Sequence, residues 1–130
     1  MSDLSGRELD AAVCGLMEAR PEKSPMDFQP WRSESPAGWW TADASYLEPE
    51  QACWLPQSVS TDIAWAMRAY GVMHERGWCI TRVRHSGRGC GVEMWCDHLR
   101  ARAFVEPVGR EPGAVLAEAI CRAIVEAGGE

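Results

Sequence analysis

Six prolines fall between residues 21 and 56 (Pro21, Pro25, Pro30, Pro36, Pro49 and Pro56), and no long helix or central strand survives that spacing. Each ring removes a backbone donor and fixes one dihedral, so a helix or interior strand running through it loses a ladder bond. The same stretch, 21–57, carries Trp31, Trp39, Trp40 and Trp54, with Phe28 and Tyr46. A solvated linker would not hold four indoles; burying them offsets the cost of ordering an irregular chain. The segment is expected to fold back on the rest of the molecule as an excursion, with a short strand pair around residues 28–41. Trp39 and Trp40 are neighbours, so along an extended chain they point opposite ways: either one of them is an exposed interface anchor, or both pack against the sheet.

Outside this excursion the periodicities are regular. Ser5 and Glu8 have the spacing of a capping box, and Leu9, Val13, Leu16 and Met17 follow on one helical face until Pro21. A second helix is expected from Ser60 or Thr61, either of which can cap it, with Asp62 in its first turn. Its apolar stripe is Ile63, Ala66, Met67, Tyr70 and Met73, and Gly77 ends it. Residues 78–85 read as a strand, Ser86-Gly87-Arg88-Gly89 as a turn, and residues 90–96 as the return strand with Val92, Met94 and Cys96 on one face. Residues 100–106 alternate again, with Ala101, Ala103 and Val105 one way and Arg100, Arg102 and Phe104 the other. Pro112 suits the first turn of a last helix that buries Leu116, Ile120, Ala123, Ile124 and Ala127 and finishes at Gly128-Gly129. The expected class is α+β: a single domain over residues 1–130, built as a three-layer α/β/α-type sandwich. Its antiparallel sheet of 3–5 strands is flanked by terminal and central helices.

At 130 residues and 46% apolar composition, the chain has enough material for one core without staples. No apolar run approaches the ~20 residues of a membrane span, and the first residues lack a secretory pattern, so a cytoplasmic setting is expected. Six cysteines are spread along the chain without a Cys-x-x-Cys pair, which reads as small buried hydrophobes instead of a disulfide framework. Cys79, His85, Cys90, Cys96 and His98 are zinc-type ligands on adjacent strands. Cys90 and Cys96 are about 20 Å apart at strand rise, however, and cannot share one ion. Cys96-Asp97-His98 has the residue types of a nucleophile with its base, but sequence neighbours on a strand do not converge. No phosphate loop, nucleophile elbow or zinc-protease helix is present. No cofactor, metal or catalysis is expected.

Charge is more informative. The chain carries 13 basic and 19 acidic residues, for a net charge of −6, and every basic residue but Lys23 is arginine. Within 76–102 the balance reverses, through Arg76, Arg82, Arg84, Arg88, Arg100 and Arg102. Arg82 and Arg84 share one strand face and Arg100 and Arg102 another. If the faces coincide, four guanidiniums form a patch for phosphate or an acidic protein surface. The alternative is that they lie over a half-exposed sheet and pair with nearby carboxylates. Candidate binding residues are therefore Arg82, Arg84, Arg88, Arg100 and Arg102, with Trp39 and Trp40. The acidic remainder (Glu8, Asp10, Glu18 and Glu22 early; Glu111, Glu118, Glu126 and Glu130 late) could line two helices as a track imitating a phosphate backbone; the plainer reading is that these are ordinary solvated helix faces.

Three short stretches carry a resemblance: Leu4-Ser5-Gly6-Arg7-Glu8-Leu9-Asp10, Ser60-Thr61-Asp62-Ile63-Ala64-Trp65 with its Gly77-Trp78 exit, and Ala119-Ile120-Cys121-Arg122-Ala123. In this order they resemble the phage ABA sandwich domain family over roughly 80 residues. The region 21–57 departs from it, being longer and richer in proline. The resemblance implies a compact layered α/β fold and a phage or prophage accessory protein acting in the host bacterial cytoplasm, and it supplies no catalytic residues. By analogy of size and setting, the expected partner is a host protein or protein–nucleic acid complex, such as a CRISPR or other defence effector, inhibited in the manner of an anti-CRISPR. Neither a membrane nor direct binding of nucleic acid is expected; a homodimer is compatible with the reading. The alternatives are a binder of a nucleotide-type small molecule, clamped by arginines and a tryptophan, and a structural phage component.

Overall fold

The computed structural model describes residues 6–21, 34–42, 54–106 and 111–128. Three helices and two antiparallel sheets make an α+β fold: α1 (Gly6–Met17), β1 (Trp40–Ala42), β2 (Trp54–Pro56), α2 (Ile63–Glu75), β3 (Cys79–Ser86), β4 (Gly89–Cys96), β5 (Leu99–Val105) and α3 (Pro112–Gly128). Among these residues no helix is long and apolar enough to cross a membrane.

The last helix is the centre of the molecule. It packs on β4 and β5 with one side and on α1 and α2 with the other. Its buried residues accordingly exceed the expected stripe: Val115, Ala117, Ala119, Ile120, Cys121, Ala123, Ile124 and Ala127, with Leu116 only half-buried. A helix apolar on nearly all sides is one enclosed by neighbours. Its small residues let those neighbours approach closely, and at Gly128 an added Cβ would stand 2.5 Å from Leu16 Cδ1 of α1.

Both flanking helices follow the sequence with local corrections. In α1, Leu9 and Val13 are buried and Leu16 and Met17 half-buried, but the helix ends at Met17, before Pro21. The Ser5 half of the expected capping box lies outside the described residues. The cap of α2 is Asp62, whose carboxylate accepts from Ala64 N at 2.9 Å, while Ser60 and Thr61 belong to the preceding turn. Ala66, Ala69 and Met73 are its buried face; Met67 is 46% exposed, because Ala69 takes the inward position.

The excursion is anchored by hydrogen bonds. β1 pairs with β2, and an antiparallel bridge joins Glu34 to Thr41 at the end of the expected 28–41 pair; residues 28–33 of that pair lie outside the described residues. The Glu18 carboxylate, just past α1, accepts from Ser35 Oγ, from Ala37 N at 2.8 Å and from Trp39 N at 3.3 Å. Gly38, at φ +86°, turns the chain between them. Trp39, Trp40 and Trp54 are buried, as the sequence required of its indoles; Trp31 lies outside the described residues.

The three-stranded sheet runs β3–β4–β5, with β4 central. Its hairpin turn leaves Gly89 at φ +149°, where any side chain would meet Phe104 and the Val105 carbonyl. Cys90 pairs with Val105, Val92 with Ala103 and Met94 with Ala101, forming the face under α3. The alternate residues form the other face.

Candidate functional site

The strand register decides whether the two arginine pairs meet. Arg82 is opposite Glu93, which is opposite Arg102; Arg84 is opposite Gly91, which is opposite Phe104; Cys79 is opposite Trp95, which is opposite Arg100. Directly opposed residues project to the same side. Arg82, Arg84, Arg100 and Arg102 thus share the outer face of the sheet, away from α3. A register shift between Ile80 and Arg82 makes this work: the bulge re-aims β3 so that both its arginines and Cys79 face outward.

An open depression of about 370 Å³ lies on this face, lined by Arg82, Arg84, Glu93, Arg102, Phe104 and the backbone around Gly91. Gly91 contributes no side chain, so the floor there is main chain. Phe104 stands beside it, 60% exposed, an unusual state for a large aromatic. Among the described residues the guanidiniums of Arg82, Arg84 and Arg102 make no ion pair, and the carboxylate between them accepts instead from Trp95 Nε1 at 3.1 Å. The alternative of arginines paired off with neighbouring carboxylates is not what the face presents. Arg100 lies one row along, its guanidinium 5.6 Å from the Trp95 ring centroid. Arg88 is at the exposed hairpin tip and does not line the depression.

Trp39 and Trp40 are corrections. Both are buried, at 8% and 3% exposure, and neither is an interface anchor. Trp39 meets Trp65 edge-on at 5.4 Å, while Trp40 donates from Nε1 to Glu18 O and is covered by Arg20 at 5.5 Å. The sharp turn at Gly38 gives neighbouring indoles two separate buried berths, which an extended strand would not.

The acidic track is a second correction. Asp10 is buried and accepts from Ser60 N at 2.8 Å; Glu18 holds the 35–39 turn; Glu126 accepts from Arg102 N at 3.1 Å; Glu118 pairs with Arg122 at 2.9 Å. Asp10 and Glu18 are thus used by the fold itself and Glu118 and Glu126 by neighbouring residues, while Glu8 and Glu111 are exposed. Glu22 and Glu130 lie outside the described residues.

The zinc-type residues separate. Cys90 is buried on the inner face, Cys79 is exposed on the outer one, and Cys96 is half-buried. Among the described residues no three His, Cys, Asp or Glu side chains are grouped to hold an ion. Cys79 Sγ is 3.6 Å from His74 Nδ1, but that nitrogen also lies 3.2 Å from Trp78 O. A carbonyl only accepts, so a hydrogen bond to Trp78 O requires the proton on Nδ1, and a protonated Nδ1 is no base toward the sulfur. The buried thiols are donors too: Cys14 to Gln57 O at 3.8 Å and Cys121 to Val59 O at 3.2 Å. Burial pushes the Cys14 thiol up to about 11 and raises Cys121 and Cys90 as well, so all three stay protonated.

The stretches that carry the family resemblance converge at one buried junction. Asp10 of the first takes the Ser60 N–H of the second, Ser60 Oγ donates to Gly6 O at 3.4 Å, and Cys121 of the third donates to Val59 O. Their chemistry is that of fastening α1, α3 and the turn before α2. The binding chemistry lies elsewhere, and residues not singled out in the sequence complete it: Phe104, Glu93, Gly91 and Trp95. The signal for Phe104 was its alternation with Ala103 and Val105 on the arginine side of a strand.

Comparison with known protein families, with curated proteins and with solved structures finds no match to this chain. The reading of the site rests on its own geometry.

Proposed function

We infer that this is a non-enzymatic recognition protein, of the phage accessory type its three motifs resemble, which binds a host macromolecule through the outer face of its sheet. One observation carries the reading: four arginines on one open face, three of them around a depression and without ion pairs among the described residues. Guanidiniums that make no ion pair among the described residues, although Glu93 lies between them, keep their rigid donor forks for an incoming anion. Arginine, glutamate, phenylalanine and main chain are a lining suited to holding a ligand, and the exposed aromatic adds an apolar contact at its rim. A protein–nucleic acid complex of a bacterial defence system offers the anionic surface such a face requires, and occupying it would inhibit the system.

The test is capture from bacterial lysate by the immobilised chain, run beside the Arg82→Ala/Arg102→Ala variant. A stable complex that the variant loses supports the reading. A complex retained by the variant, or none with the parent chain, overturns it. The size of the depression favours a second reading, since about 370 Å³ is room for one nucleotide. Calorimetry with free nucleotides separates the two, because macromolecular recognition predicts no heat.

A further inference from the structure

We propose that the outer face of β3–β5 binds single-stranded nucleic acid, its flanking arginines holding phosphates and its centre taking an unstacked base. The proposal rests on the recognition reading above and names the chemistry of the partner.

The spacing suits a strand. Arg82 and Arg84 are alternate residues of β3, and Arg100 and Arg102 are alternate residues of β5. Each pair is therefore about 7 Å apart along its strand, and the two columns are about 10 Å apart across β4. A chain of phosphates can follow either column while its bases turn inward. What lies between the columns is not cationic: Gly91, Glu93 and Trp95, with Phe104 at the rim. Phe104 lies against the main chain of Gly89 and Gly91 and is still 60% exposed, and an exposed aromatic is a stacking platform, tolerant of sequence because every base has a π-face. Glu93 adds an acceptor for an exocyclic amine and repels phosphate from the centre, which orients the strand base-inward. Arg100 already lies over an indole, the same cation-to-ring geometry that a guanidinium makes with a base.

These features separate nucleic acid from the competing occupants. An acidic peptide would match the arginines but would meet the Glu93 carboxylate at the centre, where its own carboxylates are repelled. A duplex presents phosphates, but its bases are stacked on each other and cannot reach the ring. The overall charge of −6 limits long-range attraction, so binding depends on these local contacts and is steeply weakened by salt.

The experiment is fluorescence anisotropy of the full chain with labelled single strands of about 15 mixed-sequence nucleotides, DNA and RNA, over a salt series. Saturable binding is expected, with a log–log salt slope of about −3 for four phosphates. Phe104→Ala should weaken it roughly tenfold. Arg82→Ala/Arg102→Ala should weaken it further and make the slope shallower by about 1.4. Duplex, free mononucleotides and polyglutamate should fail to compete at equal phosphate or carboxylate concentration. No binding at low salt overturns the proposal, as does equal affinity for duplex, competition by mononucleotide or polyglutamate, or an unchanged affinity in Phe104→Ala. The failures are distinguishable. If single strands do not bind but the arginine variant still loses its lysate partner, nucleic acid is excluded and recognition through this face stands. If neither changes with the variant, the face itself is wrong.

Discussion

At the junction of Asp10, Ser60 and Cys121, each polar side chain meets a partner, whereas on the outer face of β3–β5 three guanidiniums make no ion pair among the described residues. The junction excludes water, so an unmade bond there would cost the full desolvation of a buried group. The outer face is solvated, so unpaired cations cost little and remain available. The molecule thereby separates the residues that make it fold from those that meet other molecules. The most recognisable stretches of the chain belong to the first set.

Variants should break or sharpen that division. The largest effect is expected from Ile120→Ala at the buried junction helix, about 2–5 kcal/mol of lost stability, read by urea unfolding, with single-strand affinity unchanged in the folded fraction. Asp10→Ala should follow at about 1–3 kcal/mol, because the Ser60 N–H loses its acceptor inside the core. Asp10→Asn keeps an acceptor oxygen and should recover most of that loss at neutral pH.

The Asn variant should also change the pH profile. Burial raises the Asp10 carboxyl above its ordinary value of 3.8, against the opposing pull of its bonds to Ser60. A carboxyl with a raised folded pKa binds its proton more tightly in the folded state than in the unfolded one. Its contribution to stability is therefore full below pH 3.8 and is lost as pH climbs through the raised value. Unfolding measured across that window should show the parent chain declining relative to Asp10→Asn; parallel curves would contradict the burial of this group. The smallest stability effect belongs to Arg82→Ala/Arg102→Ala, within about 0.5 kcal/mol of the parent, although this pair should lose the most binding.

Much of this fold was legible in the chain because periodicity reports burial directly. The strands, the hairpin and the last helix follow from alternation at Val92, Met94, Ala101 and Val105 and from the Pro112 start. What periodicity missed depended on tertiary partners. The wide buried face of α3, which takes in Val115, Ala117, Ala119 and Cys121, follows from its packing between the sheet and two helices, which its own sequence does not state. The inward positions of both Trp39 and Trp40 depend on Glu18, some twenty residues away, gathering the turn between Ser35 and Trp39. For the site, the arginines were visible as residue types, but their union on one face depended on the bulge between Ile80 and Arg82, which has no signature in composition. Asp10 and Glu18 looked like surface acids because charge is legible in sequence and hydrogen-bond partners are not.

The most direct test of the division between a fastened junction and an open face is an NMR titration of the ¹⁵N-labelled chain with a single-stranded oligonucleotide. Shifts should centre on the amides of Arg82, Gly91, Glu93, Arg102 and Phe104 and on the arginine Nε–H groups, while the Ser60 amide, held by Asp10, stays still. Shifts centred on α1 or α3, or a spectrum unchanged at saturating strand, would contradict the account.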